Sequence, residues 1–390
     1  MQQISTTIES GSLSPAETSR PAATALAHQP RLLITSNLNI LRNTAVTLVL
    51  LNHVLRIWGL KHGILSFHDE FARSLGRLGV LLFFVHTSLV LNFSLERIGS
   101  PGWRLFRTFL VRRAFRLYPL SIVCILAIFA FQIPSMPYRR FVQYSWGGWL
   151  SNLALTTDLT GTAPALGPLW SLPVEVQMYI GLPIIFMLLG PTRSPRIALG
   201  LWLTASILAW LFPTVTETHV TDFAPCFIAG IVAYTLSGRA PKRLPGWLWT
   251  PVLLTMVGLF VILGQAVPHG FSNLPYEWLF CLALGLLIPL FNDSTFSAAN
   301  SITSRVARYS YGIYLFHCIA LWIGCGLLGG LPLPLQWATS AVLTVVMSVV
   351  GYHLVEKPAI DLGARLTSAG ATERQVTNQS LATPRINPSA

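Results

Sequence analysis

The chain has 390 residues, of which 53% are hydrophobic and only 10% charged, against about a quarter charged in soluble domains. That balance excludes a water-soluble domain of comparable size and predicts an integral membrane protein, an all-α polytopic helical bundle. The formal charge of +12 falls mainly in short loops between apolar runs, so it reads as membrane topology, with no basic, aromatic-interleaved tract to suggest nucleic acid as a partner.

Residues 1–37 are rich in Ser, Thr, Ala and Pro and lack the apolar core of a secretory signal, so they read as a disordered cytoplasmic tail. Residues 361–390 read the same way, which leaves 38–360 as the membrane domain. Within it, ten apolar runs approach the roughly 20 residues needed to cross a bilayer: 38–60, 75–95, 118–134, 170–190, 196–212, 222–237, 247–266, 276–292, 309–330 and 333–356. The loops after even-numbered runs carry thirteen Lys and Arg, those after odd-numbered runs six, which places both termini in the cytoplasm. The loops after runs five, seven and nine carry none, so Thr216 and His269 are expected outside. The five cysteines, Cys124, Cys226, Cys281, Cys318 and Cys325, lie in apolar runs without the spacing of a zinc site, and no metal is expected.

The first run holds Arg42 and His53, eleven positions apart. On an α-helix that is about three turns, roughly 16 Å of rise with about 20° of drift, so both fall on one face. One is expected near the membrane surface and the other deep inside. Ionisable groups within a span cost about 2.5–3.5 kcal/mol at mid-helix on insertion scales, which makes such a pair a functional candidate.

Trp103 to Leu117 sets Trp103, Phe106, Leu110, Ala114 and Leu117 on one stripe with arginines around it, the pattern of one amphipathic helix lying in the cytoplasmic interface. Its arginines either anchor headgroups or form a phosphate patch, since guanidinium forks match phosphate oxygens. The loop 135–167 faces outward with Trp146 and Trp149, an interfacial belt or a platform for a sugar ring. It leads into LWSLPVEVQMY, where Ser171 is expected to cap the fourth span and Glu175 to lie in its first turn, as a capping or a catalytic carboxylate. The ninth run opens with YSYGIYLFH, a dense aromatic face ending in a second buried histidine, His317. The tenth closes with Val355-Glu356-Lys357-Pro358, where Pro358 suits a helix end and the two charges mark the interface. There is no P-loop, dinucleotide fingerprint, GxSxG or HExxH.

Taken in order, LRNTAVTLVLLNH with Arg42 and His53, GRLGVLLFFVH with Gly79, Val80, Phe83 and Phe84, FLVRRAFRLYP, LWSLPVEVQMY, YSYGIYLFH and the terminal VEKP resemble the membrane-bound acyltransferase 3 family over residues 38–360. That family moves acyl groups from acyl-CoA to sugars and other exported acceptors. Two departures stand out. Its usual Ser-Gly segment after the Phe-Phe pair is replaced by Val85-His86-Thr87-Ser88, and its Glu-Glu-Gln reads Glu175-Val176-Gln177. His86 then either adjusts the acceptor site or hydrogen-bonds a neighbouring helix.

The resemblance implies an O-acyltransferase of the bacterial plasma membrane, with acyl-CoA as donor, acetyl being the family's commonest group, and a carbohydrate or lipid-linked acceptor. A neutral histidine in a partly dry cavity suits general-base work, which His53 would do. Glu175 would orient the acceptor or stabilise the imidazolium, Arg42, Arg112, Arg113 and Arg116 would hold the coenzyme A phosphates, and Trp170, Tyr179 and His317 would bind substrate. The alternative is a secondary transporter or flippase, whose paired Gly/Pro-broken helices in related halves are not found here.

Overall fold

The computed structural model describes residues 35–63, 66–135, 140–212, 220–239, 243–266, 274–294 and 297–368. These residues form helices and no β-strand, the one strand-like pairing among them being an isolated bridge between Leu244 and Phe291. In chain order the helices are α1 (Thr35–His62), α2 (Ser66–Ile98), α3 (Gly102–Ala130), the short α4 (Trp146–Ala154) and α5 (Thr157–Thr160), α6 (Ser171–Leu189), α7 (Pro195–Leu211), α8 (Val220–Leu236), α9 (Trp249–Ala266), α10 (Leu274–Leu287), α11 (Ser297–Leu321) and α12 (Leu333–Gly351). Both α11 and α12 run on through a wider π-helical turn, Trp322–Leu327 and Tyr352–Glu356, and the last helix continues to Ser368.

Seven of these helices are long and apolar enough to cross a membrane, and three shorter apolar helices, Pro195–Leu211, Val220–Leu236 and Leu274–Leu290, fall where three more of the ten runs were expected. Three boundaries shift. Helix α1 starts at Thr35 and the last helix runs to Ser368, so helix extends beyond both ends of 38–360. The arginine-rich stretch is no separate interfacial helix, because α3 runs unbroken from Gly102 to Ala130, through Pro119. A proline is tolerated inside a membrane helix where neighbours compensate the freed carbonyl. The remaining tail residues, and the loops with Thr216 and His269, lie outside the described residues.

Helix α2 is the centre of the bundle, with 83% of its apolar window buried against 17% for α9, whose Leu254, Leu259, Ile262 and Leu263 face outward as a lipid surface does. Glycines let other helices close on α2. A Cβ at Gly79 would lie 2.7 Å from the Ala45 carbonyl oxygen, one at Gly76 2.6 Å from Asn52 Nδ2, and one at Gly230 of α8 2.5 Å from the Val85 carbonyl oxygen. The pairing of Gly76 with Asn52 and of Gly79 with Ala45 makes α1 and α2 antiparallel.

The amino end of α1 is closed from far along the chain. Asp293 accepts from the Ser36 and Asn37 amides at 3.2 and 3.0 Å, Asn37 donates to the Asn292 carbonyl at 2.8 Å, and the Trp249 indole donates to the Asn37 carbonyl at 3.1 Å. First-turn amides have no partner within their own helix, and Asp293 supplies it.

Candidate active site

His53, three turns into α1 from Arg42, is 7% exposed, and its Nδ1 lies 2.9 Å from the Val49 carbonyl oxygen one turn back. A carbonyl only accepts, so Nδ1 carries the proton and Nε2 keeps a lone pair. His317 on α11 is held alike, its Nδ1 donating to Tyr314 O at 2.9 Å and Ile313 O at 3.1 Å. Its Nε2 is therefore an acceptor, and it lies 3.3 Å from His53 Nδ1, with the rings edge to face at 4.9 Å. The Cys318 thiol stands 3.4 Å from the same His317 nitrogen. Ligating atoms of His53, His317 and Cys318 all fall within 4.8 Å, but both Nδ1 atoms are already donating to backbone, and the cluster is arranged as a hydrogen-bonded chain. The base-competent His53 Nε2 faces Gly167, where a Cβ would come within 3.9 Å of it.

Next to this pair lies a cavity of about 130 Å³ into which five helices contribute polar groups: Arg42 from α1, His86 from α2, Arg113 and Arg116 from α3, Ser171, Glu175 and Tyr179 from α6, and Ser310, Tyr311 and Tyr314 from α11. Val80, Phe83, Phe84, Thr87, Val90, Leu91, Leu117 and Leu172 complete its walls. Arg42 and Arg113 have no hydrogen-bond or ion-pair partner among the described residues, and the Arg113 guanidinium only rests on the Phe109 ring at 5.8 Å. Arg116, in contrast, is paired with the buried Glu356 in the π-helical turn of α12. Glu175 accepts from the Tyr179 hydroxyl at 2.6 Å.

The cavity lining stops at Ser171 and Tyr314. The Tyr314 hydroxyl donates to Pro168 O at 2.5 Å and receives from Ser171 at 2.7 Å, while His317 lies one turn further along α11. These contacts form the boundary between the arginine cavity and the two histidines.

Several expected residues meet and others do not. Arg42, Arg113, Arg116, Glu175 and Tyr179 share the cavity; His53 and His317 form the neighbouring pair. Arg112 points elsewhere, its Nε donating to Thr367 at 2.9 Å. Trp170 lies outside the lining, against Phe84 and Phe223 and under the Arg77 guanidinium, which is itself bonded to Glu277 at 2.8 Å. Ser171 is no helix cap: a short 3₁₀ turn, Gly167–Trp170, precedes α6, and the Ser171 hydroxyl goes to Tyr314. Glu175 consequently sits in the second turn and faces the arginine cavity. Glu356 and Tyr314 join the site without having stood out in the sequence, although one lies in the terminal VEKP and the other in YSYGIYLFH, where the spacing of Tyr311, Tyr314 and His317 at three residues puts them on one stripe.

A family model described as an acyltransferase domain matches residues 35–353, from the first helix into the last apolar run. The chain belongs to the acyltransferase 3 family. It is similar to nodulation protein 10 of Rhizobium leguminosarum bv. viciae, 23% identical over 74% of this chain and 84% of the relative. It is also similar to acyltransferase MdmB of Streptomyces mycarofaciens, 25% identical over 72% of this chain and 78% of that protein. A shorter match, 26% identical over 41% of the chain, covers 32% of the regulator of hypoxia-inducible factor 1 of Caenorhabditis elegans. No solved structure matches the chain. As a multi-pass membrane acyltransferase, the protein needs an acyl donor, an acceptor and the bilayer, and the histidine pair and arginine cavity lie within the matched region.

Proposed function

We propose that this acyltransferase moves an acyl group, acetyl first among the candidates, from cytoplasmic acyl-CoA to a hydroxyl of a carbohydrate or lipid-linked acceptor bound for export, with His53 as general base. One observation carries the reading: His53 Nε2 makes no hydrogen bond among the described residues, while Arg42, three turns or about 16 Å away along α1, shares a polar cavity with Arg113 of α3, neither having a hydrogen-bond or ion-pair partner among the described residues. A coenzyme A thioester has that form, phosphates at one end and the reacting carbonyl at the far end of a long arm.

In this scheme His53 Nε2 takes the proton of the acceptor hydroxyl as its oxygen attacks the thioester carbonyl. The carbon–sulfur bond then breaks, and the imidazolium returns the proton to the departing coenzyme A thiolate. His317 accepts from His53 Nδ1 and steadies the charged ring. Glu175, bonded to Tyr179 inside the cavity, balances the arginines and does not meet the imidazolium. For the thioester to reach His53, the Ser171–Tyr314 contact must part or be skirted. The arginine side is assigned to the cytoplasm, with both termini, in a bacterial plasma membrane.

The test is cell-free transfer from labelled acyl-CoA by the purified protein, coupled to mass spectrometry of surface glycans and lipids from cells with and without the gene. A missing acyl mass in one fraction names the acceptor. Absence of transfer to every fraction, with coenzyme A bound, overturns the proposal.

A further inference from the structure

Three buried histidines line or adjoin the site, and one behaves differently. His53 and His317 each donate Nδ1 to a carbonyl of their own helix, but His86, 7% exposed in the middle of α2, makes no hydrogen bond to any described residue. The residue lines the arginine cavity, and its ring nitrogens are not among the fully enclosed, unpaired polar atoms. The antiparallel register that sets Gly76 against Asn52 and Gly79 against Ala45 continues to place His86 level with Arg42. A buried polar group without a protein partner calls for one from outside the fold, and a water or a ligand oxygen in the cavity supplies it.

The chemistry of that visitor follows from its surroundings. Arg42 and Arg113 offer guanidinium forks with no hydrogen-bond or ion-pair partner among the described residues, Arg116 is held by Glu356, and Glu175, the one carboxylate in the lining, is occupied by Tyr179. Donors outnumber acceptors, and planar forks beside an imidazole N–H suit the oxygens of a phosphate or pyrophosphate. We propose that His86 contacts the ligand directly, donating to a phosphate oxygen next to Arg42. This rests on the reading of the cavity as the donor's phosphate site, and adds to it a contact from the residue that departs from the family pattern.

The experiment is calorimetry on the full-length protein in detergent, with coenzyme A and inorganic pyrophosphate as separate probes. Wild type is compared with His86→Leu, which removes the donor, and His86→Gln, which keeps one. The expected result is a dissociation constant raised about tenfold or more by His86→Leu for both probes, and restored to within about threefold by His86→Gln. Unchanged affinity in His86→Leu overturns the proposal, as does failure of wild type to bind either probe. Binding of pyrophosphate but not coenzyme A removes the donor reading, while the His86 comparison on pyrophosphate still decides. Should His86→Leu fail to fold, carbethoxylation of His86 in the wild type, mapped by mass spectrometry, decides: protection by pyrophosphate supports the contact, and unchanged labelling overturns it.

Discussion

Glu356, with no side-chain exposure, is ion-paired to Arg116, so the far end of the chain is tied to the third helix at the wall of the cavity. Removing one member of a buried pair leaves an uncompensated charge, at a cost of about 3–5 kcal/mol. Glu356→Ala is therefore expected to lower the unfolding temperature in detergent, and the double change Arg116→Met with Glu356→Leu to recover most of it. Equal stability of wild type and Glu356→Ala refutes the pairing.

His53→Ala is expected to reduce transfer about 10²–10⁴-fold while leaving the coenzyme A dissociation constant near wild type, because Nε2 acts in the chemical step and the phosphates are held elsewhere. Single-turnover assays beside calorimetry measure the two separately. A variant retaining more than about a tenth of the rate removes His53 as the base.

His317 touches the base and not the cavity, so its effect should fall on kcat alone. His317→Leu is expected to lower kcat with KM for acyl-CoA unchanged, and His317→Gln, whose carbonyl oxygen can accept from His53 Nδ1, to recover part of the loss. A rise in the acceptor's KM with constant kcat would instead return His317 to substrate binding.

Neighbouring arginines should separate. Arg42→Ala and Arg113→Ala remove cavity donors and are expected to raise the coenzyme A dissociation constant about tenfold or more, since a hydrogen bond to a charged group contributes about 1.5–3 kcal/mol. Arg112→Ala, whose partner is Thr367, should leave it within about twofold of wild type. Calorimetry showing equal losses for Arg112 and Arg113 would point to general surface charge.

The contrast between Arg112 and Arg113 also marks how far the sequence could be read. Successive helical residues point about 100° apart, so RR in FLVRRAFRL contains both a cavity residue and an outer one, and only the packing of α3 selects between them. The common face of Arg42 and His53 followed from spacing alone, because both lie on one helix. The pairing of His53 with His317 did not, since it joins residues 264 positions apart across a helix interface. Helix α3 looked like two elements because its first half is charged and its second apolar, whereas hydrogen bonding along the backbone is indifferent to that change. Glu356 read as an interface marker because a carboxylate beside Lys357 at a span's end is usually solvated; the π-helical turn of Tyr352–Glu356 accompanies its placement inward.

The capping of α1 by Asp293 has a consequence for biosynthesis. The amide of Asn37 waits for a carboxylate 256 residues downstream, so a ribosome delivers the first helix to the membrane long before its partner has been made. Nascent chains ending short of residue 293 carry α1 without the carboxylate that its Ser36 and Asn37 amides meet in the finished fold. The cap closes only after α10 has emerged, whereas the rise from Arg42 to His53 is fixed as soon as α1 is helical, because one helix carries both. The ruler between the two ends of the site is thus made first, and its amino end is closed later by a residue that belongs to neither.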